Sequence, residues 1–144
     1  MKTLRVSLFA ALLVLGGCGL FGDDRVPEFI NMQVSGDAGS PVTLILSTFF
    51  NTGTDELGVT QVSLGFADTL DVVLPWDTVV DIRLERRFFA ELNLTEVDTT
   101  DARLMVDVDG RSLFDDTRAI TPDDPFRFLY LFNVRATGTN IEVF

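Results

Sequence analysis

Histidine is absent from the 144 residues and cysteine occurs once. A Ser-His-Asp triad needs an imidazole base and a zinc centre of the usual kind needs several His or Cys ligands, so neither can be assembled from this chain. A lone thiol also excludes an internal disulfide. Positive charge is scarce: 11 basic residues stand against 22 acidic ones, a formal charge of -11. Nucleic-acid binding requires clustered cations to neutralise phosphates, and this balance argues against it. No apolar run approaches the ~20 residues that a membrane-crossing helix requires. What is abundant is apolar: 47% of the residues are hydrophobic and 13 are Phe. That mixture at this length suits one compact domain.

The first eighteen residues set the address. Lys2 and Arg5 precede the ten-residue apolar run from Val6 to Leu15, followed by Gly16-Gly17-Cys18. A cationic start, a short apolar stretch and small residues make up a secretory signal. Leu15-Gly16-Gly17-Cys18 resembles the lipobox of bacterial lipoproteins, in which an aliphatic residue and two small ones precede the Cys that receives the lipid. Gly16 departs from the commoner Ala, Ser or Thr but keeps the side chain small. The resemblance covers the leader and cleavage site only. It implies that residues 1–17 are a removed signal peptide, that Cys18 is lipidated, and that residues 18–27 tether a domain spanning 28–144. Without its leader the chain keeps nine bases against 22 acids, a charge of -13. The resemblance further implies a lipid-anchored protein of the cell envelope. Gly19 after the Cys, where Asp favours inner-membrane retention, points to the outer membrane.

Beyond the tether, alternation of period two dominates, and this is the pattern that a pleated strand sorts onto two faces. Phe126, Phe128, Tyr130, Phe132 and Val134 make the clearest run. Others are Ile30/Met32/Val34, Val42 to Phe50, Val62/Leu64/Phe66, Val80/Ile82/Leu84 and Leu104/Val106/Val108, with a weaker run from Phe88 to Leu94 and short ones at Leu70 to Leu74 and Ile141 to Phe144. Asp109-Gly110 signals a two-residue type I′ hairpin, which sets Val106 opposite Leu113. Gly36 to Gly39, Asn51 to Asp55, Pro75, Thr121 to Pro125 and Thr137-Gly138 are further breaks. Eight or nine short strands at this spacing predict an all-β antiparallel sandwich of immunoglobulin-like or fibronectin-like type, with an open barrel as the alternative. Val42 to Phe50 running into Asn51-Thr52-Gly53, then Val59 to Phe66, is also similar to immunoglobulin-like sandwich lipoproteins and to the late-embryogenesis-abundant type of β-sandwich. That similarity implies a fold and no activity.

Few residues suggest chemistry. Asp107, Asp109, Asp115 and Asp116 invite a calcium reading, but their spacing fails the EF-hand template, and Asp109-Gly110 is already explained as a turn. Asp98 with Asp101, or Asp123 with Asp124, could hold a divalent ion between loops at one end of the sandwich, although acidic loop tips are more often just solvated. No Gly-x-Ser-x-Gly elbow occurs, no cofactor motif is present, and no acid pair among the 22 is singled out for hydrolysis. Arg83, Arg86 and Arg87 form the one basic cluster, expected to pair with acids across strands, with an anion or partner contact as the alternative. Tyr130 is expected in the core, and Trp76 either plugs one end of the core or stands at the rim as an interface anchor. Several strands are apolar on both faces: Leu129 and Leu131 alternate with Phe128 and Tyr130, Phe49 adjoins Phe50, and Phe88 adjoins Phe89. Either bulges tuck both residues inward or another surface covers one sheet, which makes Leu129 and Leu131 a candidate partner face. The sequence therefore reads as a non-enzymatic, lipid-anchored interaction or structural module with an envelope protein as partner. The alternatives are a small-ligand or divalent-cation binder using acidic loops and, behind it, a small carboxylate hydrolase.

Overall fold

The computed structural model describes residues 25–37, 39–94 and 99–144, which form two packed β-sheets without a helix. Ten strands follow in order: β1 (Phe29–Gly36), β2 (Pro41–Thr54), β3 (Thr60–Val73), β4 (Trp76–Asp81), β5 (Arg87–Asn93), β6 (Thr100–Val108), β7 (Arg111–Ile120), β8 (Phe126–Leu131), β9 (Ala136–Gly138) and β10 (Ile141–Val143). One sheet has the order β4-β1-β6-β7 and the other β10-β3-β2-β5-β8-β9. All neighbours are antiparallel except β10 and β3. The all-β sandwich expected from the alternation is therefore present.

Alternation decides the core. Ile30, Met32 and Val34 of β1 and Ala102, Leu104 and Val106 of β6 face Val42, Leu44 and Leu46 of β2, Phe88, Ala90 and Leu92 of β5, and Phe126, Phe128 and Tyr130 of β8. Phe88, Phe126 and Phe128 are fully buried, and each such side chain contributes ~1.5–3 kcal/mol of transfer free energy before the entropy of ordering is subtracted. The run Phe88 to Leu94, weak as a pattern, is the most completely buried strand segment, because β5 lies inside the larger sheet with apolar layers on both sides.

The second layer explains why several strands are apolar on both faces. β9 ends at Gly138 and β10 begins at Ile141, so three Cα steps of 3.80 Å, ~11 Å at most, join the two outermost strands of the six-stranded sheet. Laid flat, those edges would stand ~24 Å apart at the usual strand spacing. The sheet must therefore curl into a half-barrel. Its concave back face encloses Phe50, Val62, Phe89, Leu129 and Ile141, with Ile45, Leu64, Leu131 and Val143 against them. The turn is helped by a bulge in β2 between Leu46 and Phe50, since a bulge bends a strand and raises its twist. The Ser47 hydroxyl stabilises the bulge by donating to the Phe66 carbonyl and accepting from the Phe49 amide. Glu91, buried on this face, accepts from Arg127 Nε at 2.6 Å, and Arg127 Nη1 donates to the Ile141 carbonyl at 3.0 Å, tying β10 across β8.

Several local expectations need correction. The Asp109-Gly110 turn has positive φ at both residues, 48° and 78°, as a type I′ turn requires. A bulge at Leu113, however, pairs Val106 with Phe114 and leaves Leu113 unpaired. The shift turns Phe114 inward against Phe126 and Phe128, with ring centroids 6.0 and 4.9 Å away. The larger ring fills the core and Leu113 is left exposed. Val62 to Phe66 and Leu70 to Leu74 belong largely to one long strand, β3, while Leu84 lies beyond the end of β4 in a turn. Thr137-Gly138 is not a break but part of β9.

Candidate functional site

The chain enters the sandwich at one end, and four loops meet there. They are residues 25–28, the turn 82–86 between β4 and β5, the hairpin turn 109–110 and the turn 132–135 after β8. Backbone hydrogen bonds fasten them together: Ile82 N to Glu28 O at 2.9 Å, Asp109 N to Phe29 O at 3.1 Å and Phe132 N to Arg86 O at 3.1 Å. The Asp109 carboxylate adds to this by accepting from the amides of Glu28 and Phe29 at 3.0 to 3.2 Å. Asp109 is thus a structural acceptor for the incoming chain.

This end carries Arg25, Arg83, Arg86, Arg87, Arg111 and Arg135, six of the nine arginines that follow Cys18 in the sequence. Its acids are Glu28, Asp81, Glu85, Asp107 and Asp109. The Arg83 guanidinium bonds Asp81 at 2.5 Å and lies 5.4 Å over the Phe29 ring. Hydrogen bonding from Arg83 holds the Asp81 carboxyl below its ordinary range. Arg87 donates to the Phe50 carbonyl at 2.6 Å and approaches Glu85 at 3.7 Å. The expected pairing of Arg83 and Arg87 with acids is present, though within a turn and not across strands, because both partners lie two residues away in sequence. Two apolar residues project from the same loops: Leu84 is 92% exposed and Val134 67%. Arg86 and Arg135 adopt φ of 54° and 51°, a left-handed conformation usually left to Gly or Asn and costing roughly 1–2 kcal/mol with a larger side chain. Between the loops lies a cleft of about 540 Å³ lined in part by Phe29, Asp109, Arg111, Tyr130 and Phe132. Burial first, then the charge of Asp109, pushes the Tyr130 hydroxyl above its ordinary pKa.

The other acids suggested by the sequence do not converge. Asp115 is bound by both Nε and Nη2 of Arg103 at 2.7 Å, while Asp116 accepts from the Thr117 amide. Asp107 sits in β6 opposite Ser112. Among the described residues no group of three or more acids is placed to hold a metal ion. At the far end Asp124 lies 3.7 Å from Arg118, which also donates to the Pro125 carbonyl. Cys18 and Asp98 lie outside the described residues. Trp76 packs half-buried against the core opposite Val34.

Leu129 and Leu131 do not form an open partner face. Leu129 is 3% exposed, Leu131 is half-buried, and Ile141 and Val143 of the same chain lie over them. The cover is intramolecular because the last strand folds back across the curled sheet. An exposed apolar strip lies elsewhere, along the open side between β3 and β4, where Phe66, Leu70 and Val79 line a shallow groove of about 380 Å³. Sequence patterning could not find this groove or the arginine-bearing end, since each unites residues far apart in the chain. The local signal available was an arginine beside an apolar residue, Arg83-Leu84 and Val134-Arg135. Compared with family models, curated proteins and solved structures, the chain matches none.

Proposed function

We propose that this protein is a lipid-anchored β-sandwich of a bacterial cell envelope, held in the membrane through Cys18 and acting by contact and not by catalysis. The observation that carries the reading is the position of the chain's one thiol. It closes Leu15-Gly16-Gly17-Cys18 directly behind a short apolar run, where acylation would use it. Each buried methylene contributes ~0.8 kcal/mol, so two or three acyl chains hold a protein firmly where one does not. Gly19 favours the outer membrane, and the likeness to immunoglobulin-like sandwich lipoproteins belongs to the same reading.

A non-catalytic role is supported by what the side chains already do. Asp81, Asp109 and Asp115 are engaged in structural bonds, and the Ser47 hydroxyl is committed to its bulge. The groove between β3 and β4 supports contact with an envelope protein. Fractionation tests the anchor: the wild-type protein is expected in the membrane pellet and the Cys18→Ala variant in the soluble fraction or as uncleaved precursor. Mature Cys18→Ala still sedimenting with membranes would overturn the proposal.

A further inference from the structure

We infer that the tether end of the sandwich is a membrane-contact surface, with Leu84 and Val134 entering the headgroup region of an anionic phospholipid layer and the surrounding arginines binding its phosphates. The inference rests on the lipid anchor proposed above and adds which end of the domain touches the bilayer. Geometry limits the choice. Seven residues, Cys18 to Asp24, precede Arg25, and an extended chain of that length reaches at most ~25 Å. The loops meeting at residues 25–28 therefore lie closest to any bilayer holding Cys18.

Composition then separates this end from the rest. Beyond the leader the chain carries a formal charge of -13, yet this end gathers six of the nine arginines against five acids. The other three, Arg103, Arg118 and Arg127, share the rest of the chain with fifteen acids, while Asp23 and Asp24 directly precede Arg25 in the sequence. Anionic headgroups repel the body and admit the arginine end, which orients the domain end-on.

The side chains match a lipid interface in detail. Leu84 is almost fully exposed between Arg83 and the Glu85-Arg86-Arg87 run, and Val134 is exposed beside Arg135. An apolar tip flanked by arginines can bury its methyls at the acyl boundary while the guanidinium groups stay level with phosphate, to which they bind bidentately. Arg83 can exchange its exposed Asp81 partner for phosphate oxygens with little loss, because such surface pairs contribute ~0–1 kcal/mol.

The test uses the full lipidated protein carrying Leu84→Cys, a free thiol apart from the acylated Cys18, labelled with an environment-sensitive fluorophore and reconstituted into vesicles of phosphatidylethanolamine and phosphatidylglycerol. A second protein carries the label through Asp123→Cys at the opposite end. Co-flotation with the vesicles reports the anchor and emission reports the contact. The inference expects flotation of both proteins, with a blue shift and several-fold brightening at position 84 that nitroxide-labelled lipids quench, and neither change at position 123. Flotation with position 84 as water-exposed as position 123 would sink the contact and leave the anchor standing. Failure to float would sink both. An equal shift in purely zwitterionic vesicles would remove the arginines from the account.

Discussion

Truncating Phe89 measures whether the back of the six-stranded sheet is an interior. Phe89 is fully buried on the concave face, edge-on to Phe50 with ring centroids 6.2 Å apart, and is covered by Leu129 and Ile141. Replacing such a side chain by alanine removes its transfer energy and leaves a cavity that the curled sheet can only partly close, a combined cost of ~3–5 kcal/mol. Domain stabilities are only ~5–15 kcal/mol, so Phe89→Ala should lose a large share of the total. Phe49, 58% exposed on the neighbouring strand, is the internal control, and Phe49→Ala should cost under ~1 kcal/mol. The assay is urea unfolding of the non-lipidated Cys18→Ser domain, followed through Trp76, the one tryptophan. Ile141→Ala should cost ~2–5 kcal/mol on its own and combine non-additively with Phe89→Ala, because the two residues share one cluster. If Phe89→Ala proved no more destabilising than Phe49→Ala, the half-barrel and the covering role of the C-terminal strand would be wrong.

Other expectations follow from the same contacts. A methyl added at Gly36 would stand 2.2 Å from the Asp101 carbonyl oxygen, whereas at Gly65 it would meet the exposed Phe49 ring at 2.6 Å. Gly36→Ala should therefore cost at least ~1–3 kcal/mol in the urea assay, and Gly65→Ala clearly less, since the ring can swing aside. Tyr130 is the one tyrosine, so an ultraviolet titration reads it alone. Its midpoint should lie above the ordinary ~10 in the folded protein and return there in denaturant. Its folded pKa is raised, so the stabilisation is present below the unfolded pKa and lost as pH climbs through the folded one. Asp109→Ala removes the acceptor for the Glu28 and Phe29 amides at a left-handed position and should cost ~1–3 kcal/mol, with Asp109→Asn milder in the same unfolding curves. Added calcium should leave the melting temperature unchanged, and a rise would revive the cation-binding reading of the acidic loops.

The strands were legible in the sequence because a period of two is a local property. The run from Phe126 to Val134 could be sorted onto two faces without knowing anything else about the chain, but the strand itself ends at Leu131 and residues 132–135 turn away, leaving Val134 exposed. Type I′ geometry at Asp109-Gly110 was equally local. Register was not: a single bulge residue at Leu113 exchanged Phe114 for Leu113 in the core, and only the room beside Phe126 and Phe128 decides that trade. The doubly apolar strands were visible, but not what covers them, because β9 and β10 are three residues each, too short to carry a period. Of the tether end, the cluster Arg83, Arg86 and Arg87 stood out as charge. Its meeting with Arg25, Arg111, Arg135 and Val134 depends on how four loops close one end of the sandwich.

The anchor at Cys18 is the claim on which placement, orientation and function depend. Intact-mass measurement of the protein purified in detergent from its own membranes tests it most directly. The expected product is a chain starting at residue 18 with the added mass of a diacylglyceryl group and an acylated amine. A mass equal to that of the bare polypeptide, with a thiol open to alkylation, would contradict it.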